Sequence, residues 1–149
     1  MVEIPTAPPT RICLVRHGET EWNAARRIQG QIDIGLNETG LRQAEAAGCW
    51  LKTAGIIALY SSDLKRAKTT AEALGVALGL VPQLVPEMRE RRYGIFEGLT
   101  YAEAQARYPE GYAAFEGRNA HYNFENGESL VAMFARVTGK LKEIAAAHP

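Results

Sequence analysis

The chain has 149 residues, a length that suits one globular domain. Hydrophobic residues make up 46% and charged residues 23%, a composition that argues against intrinsic disorder and fibrous repeats. Lys and Arg together number 17, as do Asp and Glu, so the net charge of zero creates no general field for nucleic acid or an anionic membrane. Any bound anion must therefore be held by a local cluster of cations.

The N-terminal segment, residues 1–10, is expected to be a loose leader, because it carries three prolines and lacks the basic and apolar regions of a secretory signal. No apolar run approaches the length of a transmembrane helix. Cys13 and Cys49 lie among apolar residues without the spacing of a zinc site. We therefore expect buried free thiols in a reducing cytosol, and a cytoplasmic protein.

Apolar runs and helical periodicities alternate up to residue 85. They predict strands at Ile12–Val15, Ile56–Tyr60 and Leu80–Val85, and helices at Asn37–Gly55 and Leu64–Leu78. The second helix is expected to be capped by Ser61, Ser62 or Asp63 and closed by Gly79. Pro82 suggests that the last strand lies at an edge of the sheet. This order is typical of an α/β fold with a mostly parallel sheet and helices on both faces, a three-layer α/β/α arrangement.

The second half of the chain is predicted to be mainly helical. Thr100 and Glu103 form the pattern of a capping box for a short helix that ends before Pro109, whereas Tyr112–Asn126 is expected to be irregular. The apolar stripe of Ser129–Ala147 predicts a helix that faces the core. The chain stops at Pro149, where the alternation predicts another strand. We therefore expect residues 11–149 to be a C-terminally incomplete domain of a longer protein.

Arg16, His17, Gly18 and Glu19 directly follow the first predicted strand. Ligands bind at this edge of open α/β sheets, and Gly18 allows the backbone to turn tightly beside an anion. A neutral imidazole at such a position can attack phosphorus and hold the phosphoryl group covalently. A lone histidine at a strand end is more often structural, so the surrounding sequence decides between the two interpretations.

The run from Leu14 to Asn23 resembles the signature of the histidine phosphatase superfamily, also called the phosphoglycerate mutase-like family, in its bacterial-type phosphatase branch. The resemblance continues to the end of the chain in the family's order. It includes Arg27-Ile28-Gln29-Gly30, Ser61-Ser62-Asp63-Leu64-x-Arg66-Ala67-x-x-Thr70-Ala71, Glu90-x-x-Tyr93-Gly94-x-Phe96-Glu97-Gly98 and Gly127-Glu128-Ser129.

The resemblance implies a role for each matching residue. His17 is implied as the nucleophile, and Glu90 as the acid that protonates the leaving oxygen and then activates water. Arg16 and Arg66 match phosphate-binding arginines, whose guanidinium groups suit phosphate oxygens. Asn23 matches a further phosphate donor and Gln29 lies near the substrate-contacting loop. The reaction that the resemblance implies needs no metal or other cofactor.

One element of the family pattern is missing. Members carry a second active-site histidine, followed by glycine, after a strand that comes later than the long C-terminal helix. His148 follows that helix directly and is not expected to replace it. His121 lies in a predicted loop without motif context, where it could at most line a substrate pocket.

Three functions remain open on the sequence. The leading interpretation is a phosphomonoesterase that acts on a small phosphorylated metabolite through a phosphohistidine. The first alternative is a phosphoglycerate mutase, which would need a 2,3-bisphosphoglycerate primer and would make the protein an isomerase. The second is a catalytically impaired phosphate-binding fragment. We expect no nucleic-acid or membrane partner, a homodimer is compatible with the sequence, and the substrate is not specified.

Overall fold

The computed structural model describes residues 10–149, so the predicted leader falls outside it except for Thr10. The helices are α1 (Glu21–Ala24), α2 (Glu38–Leu51), α3 (Lys65–Leu78), α4 (Tyr101–Arg107), α5 (Pro109–Glu116) and α6 (Leu130–Ala147), and the strands are β1 (Tyr60–Ser61) and β2 (Gln83–Leu84). Two short 3-10 turns span Pro86–Met88 and Gly94–Phe96. No helix within residues 10–149 is long and apolar enough to cross a membrane.

A parallel strand pair joined through α3 forms the α/β part of the molecule. Tyr60 lies opposite Gln83 and Ser61 opposite Leu84. Helix α2 packs along α3, and Gly48 permits the close approach, because a Cβ at this position would lie 2.9 Å from the Cβ of Ala77. The predicted α/β fold class is confirmed.

The predicted strands are too long or, in one case, wrong. Ile12–Val15 is not a strand: among residues 10–149 its backbone finds no hydrogen-bonding neighbour, and Leu14 is 75% exposed. Of the run predicted at 56–60 only Tyr60 lies in a strand, together with Ser61, and the run predicted at 80–85 shortens to Gln83–Leu84. An extended segment becomes a strand only where a neighbour completes its ladder of hydrogen bonds.

Helices α2 and α3 match their predictions except at the end of α2, which stops at Leu51 instead of continuing to Gly55, and at the start of α3. Asn37 caps α2 by accepting a hydrogen bond from Gly40 N, and Gly79 closes α3 in the left-handed conformation, with φ of 69°. Ser61, Ser62 and Asp63 do not cap α3. Asp33 Oδ1 instead accepts from Lys65 N at 2.6 Å, while Asp63 pairs with Arg89.

The predicted capping box of Thr100 and Glu103 is present at α4, which ends before Pro109 as expected. The irregular segment predicted from Tyr112 is wrong in its first part, because α5 extends to Glu116. Proline at the first position of α5 favours this start, since its missing N–H has no partner in a helix anyway.

An aromatic cluster forms one part of the core of the described chain, and buried residues of α2 and α3 form another, whereas the face of α6 contributes none. The fully buried members of the aromatic cluster are Ile28, Phe96, Ala104 and Phe124, with partly buried residues packed against them at Tyr93, Ile95, Leu99, Tyr112, Phe115 and Tyr122. Helix α6 starts at the Ser129 cap as predicted but contains no buried residue, and Phe134 is 64% exposed. The prediction that the α6 stripe is core is therefore wrong within residues 10–149.

Both cysteines are free, as expected, but both are exposed rather than buried. Cys13 belongs to the unpaired segment before the His17 loop. Cys49 lies on the side of α2 that faces away from Gly40, Ala44 and Gly48, the residues buried against the rest of the molecule.

Candidate active site

Two glycines bring the loop that carries His17 against the start of α2. A Cβ on Gly18 would lie 2.3 Å from Gly40 O, and a Cβ on Gly40 would lie 2.1 Å from Glu19 O. Gly18 N also donates to Thr70 Oγ1 at 3.1 Å, and this hydroxyl donates to Arg66 O at 2.7 Å. Backbone contact with two helices therefore fixes the His17 loop.

His17 has one ring nitrogen engaged by its own loop. Nδ1 lies 2.7 Å from Gly18 O, and because a carbonyl can only accept, Nδ1 carries the proton and Nε2 keeps a free lone pair. Partial burial lowers the pKa of His17 below its usual 6.5, and the positive charges of Arg66 and Arg16 lower it further. The hydrogen bond to Gly18 and the charge of Glu90 act in the opposite direction. The imidazole is therefore neutral, and nucleophilic at Nε2, at neutral pH.

Arg66 is the second residue of α3 and is 2% exposed. Its Nη2 donates to Gly30 O at 2.7 Å and its Nη1 to Ile32 O at 3.0 Å. Burial lowers its pKa, but an arginine remains protonated because its ordinary value is so high. Arg66 thus supplies a fixed positive charge at the start of a helix, where anions are favoured.

Four of the predicted site residues line one cavity of about 260 Å³: Arg16, His17, Arg66 and Glu90. Glu90 lies in the irregular stretch after the Pro86–Met88 turn, where its Oε1 accepts from Arg91 N at 2.7 Å. Gln31 Nε2 donates to Glu90 O at 3.0 Å. Residues that bear a carboxyl, an imidazole and two guanidinium groups therefore line a space large enough for a phosphoryl group.

The structure does not bring Asn23 and Gln29 to the walls of this cavity. Asn23 lies inside α1, and its Oδ1 accepts from Thr20 N at 3.1 Å. Thr20, which is fully buried, donates from its hydroxyl to Gln29 Oε1 at 2.9 Å. The two amides therefore form a connected group through Thr20, and the amide nitrogen of Asn23 keeps donor capacity.

Two functional positions escaped the sequence interpretation. Thr70 lines the cavity and connects the His17 loop to α3, whereas Ser62, expected to be a helix cap, is buried in the cavity wall. Both residues lie within the Ser61–Ala71 motif, so the sequence marked their positions but did not indicate that they line the cavity.

The other two histidines lie outside the cavity. His148 Nε2 is 2.8 Å from Tyr60 Oη, and Thr10 Oγ1 donates to the carbonyl of His148 at 2.6 Å. His121 is exposed in the loop after α5. Within residues 10–149, no group of three His, Cys, Asp or Glu side chains is arranged to hold a metal ion.

The model of the histidine phosphatase superfamily (branch 1) matches residues 12–149. The chain belongs to this superfamily. The cavity residues Arg16, His17, Arg66 and Glu90 all lie within the matched range.

Two curated relatives from Arabidopsis thaliana show the breadth of names among similar histidine phosphatases. A metal-independent phosphoserine phosphatase is 44% identical over 143 residues, which cover 93% of this chain and 60% of the relative. Phosphoglycerate mutase-like protein 4 is 41% identical over 140 residues, covering 92% of this chain and 61% of the relative. The chain thus spans about three fifths of the length of these relatives.

A solved structure of mycobacterial glucosyl-3-phosphoglycerate phosphatase in complex with VO3 has the same fold. It superimposes with a TM-score of 0.82 at 38% sequence identity, and the match covers 89% of this chain and 66% of that one. The likeness includes sequence as well as backbone.

Proposed function

We propose that this histidine phosphatase superfamily member hydrolyses phosphomonoesters through a phosphohistidine intermediate on His17, without a metal or other cofactor. The observation that carries the proposal is the cavity of about 260 Å³, where Nε2 of a neutral His17 is free beside Arg16, Arg66 and Glu90. Phosphoryl transfer without a metal requires a nucleophile, cations that stabilise the phosphoryl oxygens, and a carboxyl for proton transfer.

The reaction has two steps. In the first, His17 Nε2 forms a bond to phosphorus while the ester P–O bond breaks, and the Glu90 carboxyl gives its proton to the leaving oxygen to release an alcohol. In the second, water attacks phosphorus, Glu90 takes a proton from that water, and the N–P bond breaks to release phosphate. The Nδ1 proton donated to Gly18 O stabilises the positive imidazole ring while it carries the phosphoryl group.

The charge that develops on the phosphoryl oxygens needs donors throughout both steps. Arg16 and Arg66 supply positive charge at the cavity, and Arg66 is held in place by the carbonyls of Gly30 and Ile32. The resemblance implies Asn23 as a further donor, but its side chain does not line the cavity, so we assign it to the Thr20 network that adjoins the His17 loop. Gln29 is assigned to the supporting loop, where it joins Thr20 to the segment that binds Arg66.

The substrate is proposed to be a small phosphorylated metabolite. This class is supported by the relatives, whose names include a phosphoserine phosphatase and a glucosyl-3-phosphoglycerate phosphatase. The name of one relative, phosphoglycerate mutase-like protein 4, keeps mutase activity as a second candidate. A mutase would return the phosphoryl group to another hydroxyl of phosphoglycerate instead of to water.

We further propose that residues 11–149 form the part of the phosphatase domain that carries the nucleophile, and that the protein is cytoplasmic. Two exposed free thiols, Cys13 and Cys49, support a reducing compartment, because exposed thiols persist there.

The test measures phosphate release from p-nitrophenyl phosphate in the presence of EDTA for the wild-type chain, His17→Asn and the control His121→Asn. Release by the wild type and by the control, with loss in His17→Asn, is the expected result. Trapping of an acid-labile, alkali-stable phosphoenzyme in the wild type and in His121→Asn, but not in His17→Asn, would identify the phosphohistidine. Equal release by His17→Asn would refute the proposal.

The same preparation distinguishes the two alternatives. A mutase would convert one phosphoglycerate isomer into the other, dependent on a bisphosphoglycerate primer, with little free phosphate. An impaired phosphate-binding chain would show a phosphate-dependent rise in melting temperature without turnover of any ester.

A further inference from the structure

Glu90 lies in a stretch of chain that has no regular structure to hold it. Residues 89–93 connect the Pro86–Met88 turn to the Gly94–Phe96 turn without a helix or a strand. The proton transfer assigned to Glu90 nevertheless requires a carboxyl at a fixed place. Neighbouring side chains must therefore supply the rigidity that backbone hydrogen bonding supplies elsewhere.

Arg136, near the middle of α6, binds this stretch on the N-terminal side of Glu90. Its Nη1 donates to Glu87 O at 2.7 Å and to Arg89 O at 3.0 Å. Its Nη2 donates to Glu128 Oε1 at 2.6 Å, in an ion pair whose side chains are 24% and 19% exposed. One guanidinium group thus bridges two backbone carbonyls and a carboxylate.

Glu128 binds the same stretch on the C-terminal side of Glu90. Its Oε1 accepts from Arg92 N at 2.9 Å, and its own backbone N donates to Arg92 O at 2.9 Å. Glu128 O accepts from Arg91 Nε at 3.0 Å. The Arg136–Glu128 pair therefore binds the backbone at residue 89 and at residue 92. Glu90 lies between these two points of contact.

Arg91 connects this arrangement to the aromatic core. It is 7% exposed, its Nη2 donates to Tyr122 O at 2.9 Å, and its guanidinium carbon lies 4.7 Å from the centre of the Phe124 ring. A buried cation on an aromatic face with two carbonyl acceptors is firmly held. The stretch that carries Glu90 is thus attached to α6 and to the core together.

We propose that Arg136 and Glu128 are positioning residues that hold the Glu90 carboxyl where it can protonate the leaving oxygen. This inference rests on the proposed function, because it requires Glu90 to be the acid. The hydrogen bonds of Arg136 go to Glu87, Arg89 and Glu128, and none goes to Arg16 or Arg66, so we expect Arg136 to act on the rate through Glu90.

The test uses two esters of similar size that differ in the basicity of the leaving oxygen. Phenoxide is a strong base and needs a proton as it departs, whereas p-nitrophenoxide departs with little help. Arg136→Met keeps the unbranched stem but removes every donor, and Arg136→Lys keeps the charge with a single donor centre. Arg42→Met, on the exposed face of α2, is the matched control.

General acid catalysis contributes roughly 10²- to 10⁴-fold, so we expect Arg136→Met to lower kcat/KM, which reports formation of the phosphohistidine, about tenfold or more on phenyl phosphate. The loss of kcat/KM on p-nitrophenyl phosphate should be much smaller. Arg136→Lys should recover part of the loss. In a Glu90→Gln background, Arg136→Met should lower kcat/KM little further, because the glutamine that Arg136 then positions has no acidic proton to donate. Arg42→Met should match the wild type on both esters.

Different outcomes overturn different claims. Equal losses on the two esters, or a full further loss in the Glu90→Gln background, would overturn the positioning role while the proposed function stands. A Glu90→Gln variant without leaving-group dependence would remove Glu90 as the acid, and this inference with it. A wild-type chain that cleaves neither ester would overturn the proposed function of this chain and the inference together. If Arg136→Met does not fold, the Arg136→Lys comparison decides by the same criteria.

Discussion

The close contact between the His17 loop and Gly40 allows a prediction that compares the gain in helix propensity with the cost of overpacking. Replacing glycine by alanine within a helix normally stabilises a protein by up to about 1 kcal/mol. Gly40 is in the first turn of α2, but a Cβ there would lie 2.1 Å from Glu19 O and 2.7 Å from Glu19 N. Ordinary contact begins near 3.4 Å, so the backbone beside His17 would have to move by about an ångström.

Overpacking of this kind typically costs about 1–3 kcal/mol, which exceeds the helical gain. We therefore expect Gly40→Ala to lower the free energy of unfolding by about 1–2 kcal/mol. A displacement of about 1 Å in the loop that carries His17 should also reduce kcat/KM by as much as about 10²-fold. Gly139→Ala is the matched control, because nothing lies within 4 Å of a Cβ at that exposed position in α6.

Urea unfolding of the wild type and both variants measures the difference in free energy. Gly139→Ala should stabilise the chain by up to about 1 kcal/mol, and the two substitutions should thus have opposite signs. If Gly40→Ala stabilised the chain as much as Gly139→Ala does, the packing argument would be refuted. Destabilisation with unchanged kcat/KM would refute the claim that this contact positions His17.

Three further predictions follow from burial and charge. The acid limb of the pH profile of kcat/KM should lie below pH 6.5, because burial and the charge of Arg66 lower the pKa of His17. Arg66→Ala should move this limb to higher pH, and NMR titration of the His17 ring checks that the limb belongs to this residue. Phe124→Ala should cost about 3–5 kcal/mol in unfolding experiments, since that ring is 1% exposed, whereas Phe134→Ala, at a position 64% exposed, should cost far less. Burial raises the pKa of Tyr93 to about 12, so unfolding should become easier as the pH rises from 10 towards 12, and Tyr93→Phe should remove that part of the pH dependence.

The site was more predictable from the sequence than the fold around it. His17, Arg16, Arg66 and Glu90 lie in contiguous motifs, and the structure places all four around one cavity, as the resemblance led us to expect. Their catalytic roles stay predictions that the variants above can test. Asn23 and Gln29 depend on a side-chain network through Thr20, which spacing alone does not indicate.

The errors in the fold share one physical origin, the dependence of local elements on distant partners. Ile12–Val15 has the composition of a buried strand, but a strand also needs a neighbour, and the described residues supply none. The α6 stripe has helical periodicity, which indicates an apolar face without saying what covers it. Asp33 caps α3 from outside the local sequence, so the nearer Ser61, Ser62 and Asp63 were favoured wrongly.

The two hydrogen bonds from Arg66 to the carbonyls of Gly30 and Ile32 affect the cost of binding an anion. A guanidinium group has five N–H donors, and these two bonds leave three for phosphate. The side chain has already lost its rotamer entropy on folding, so a phosphate ester meets a preorganised cation and the affinity is not reduced by ordering it. A lysine ammonium that bound both carbonyls would keep only one of its three donors for the anion, and it lacks the planar fork that matches two phosphate oxygens.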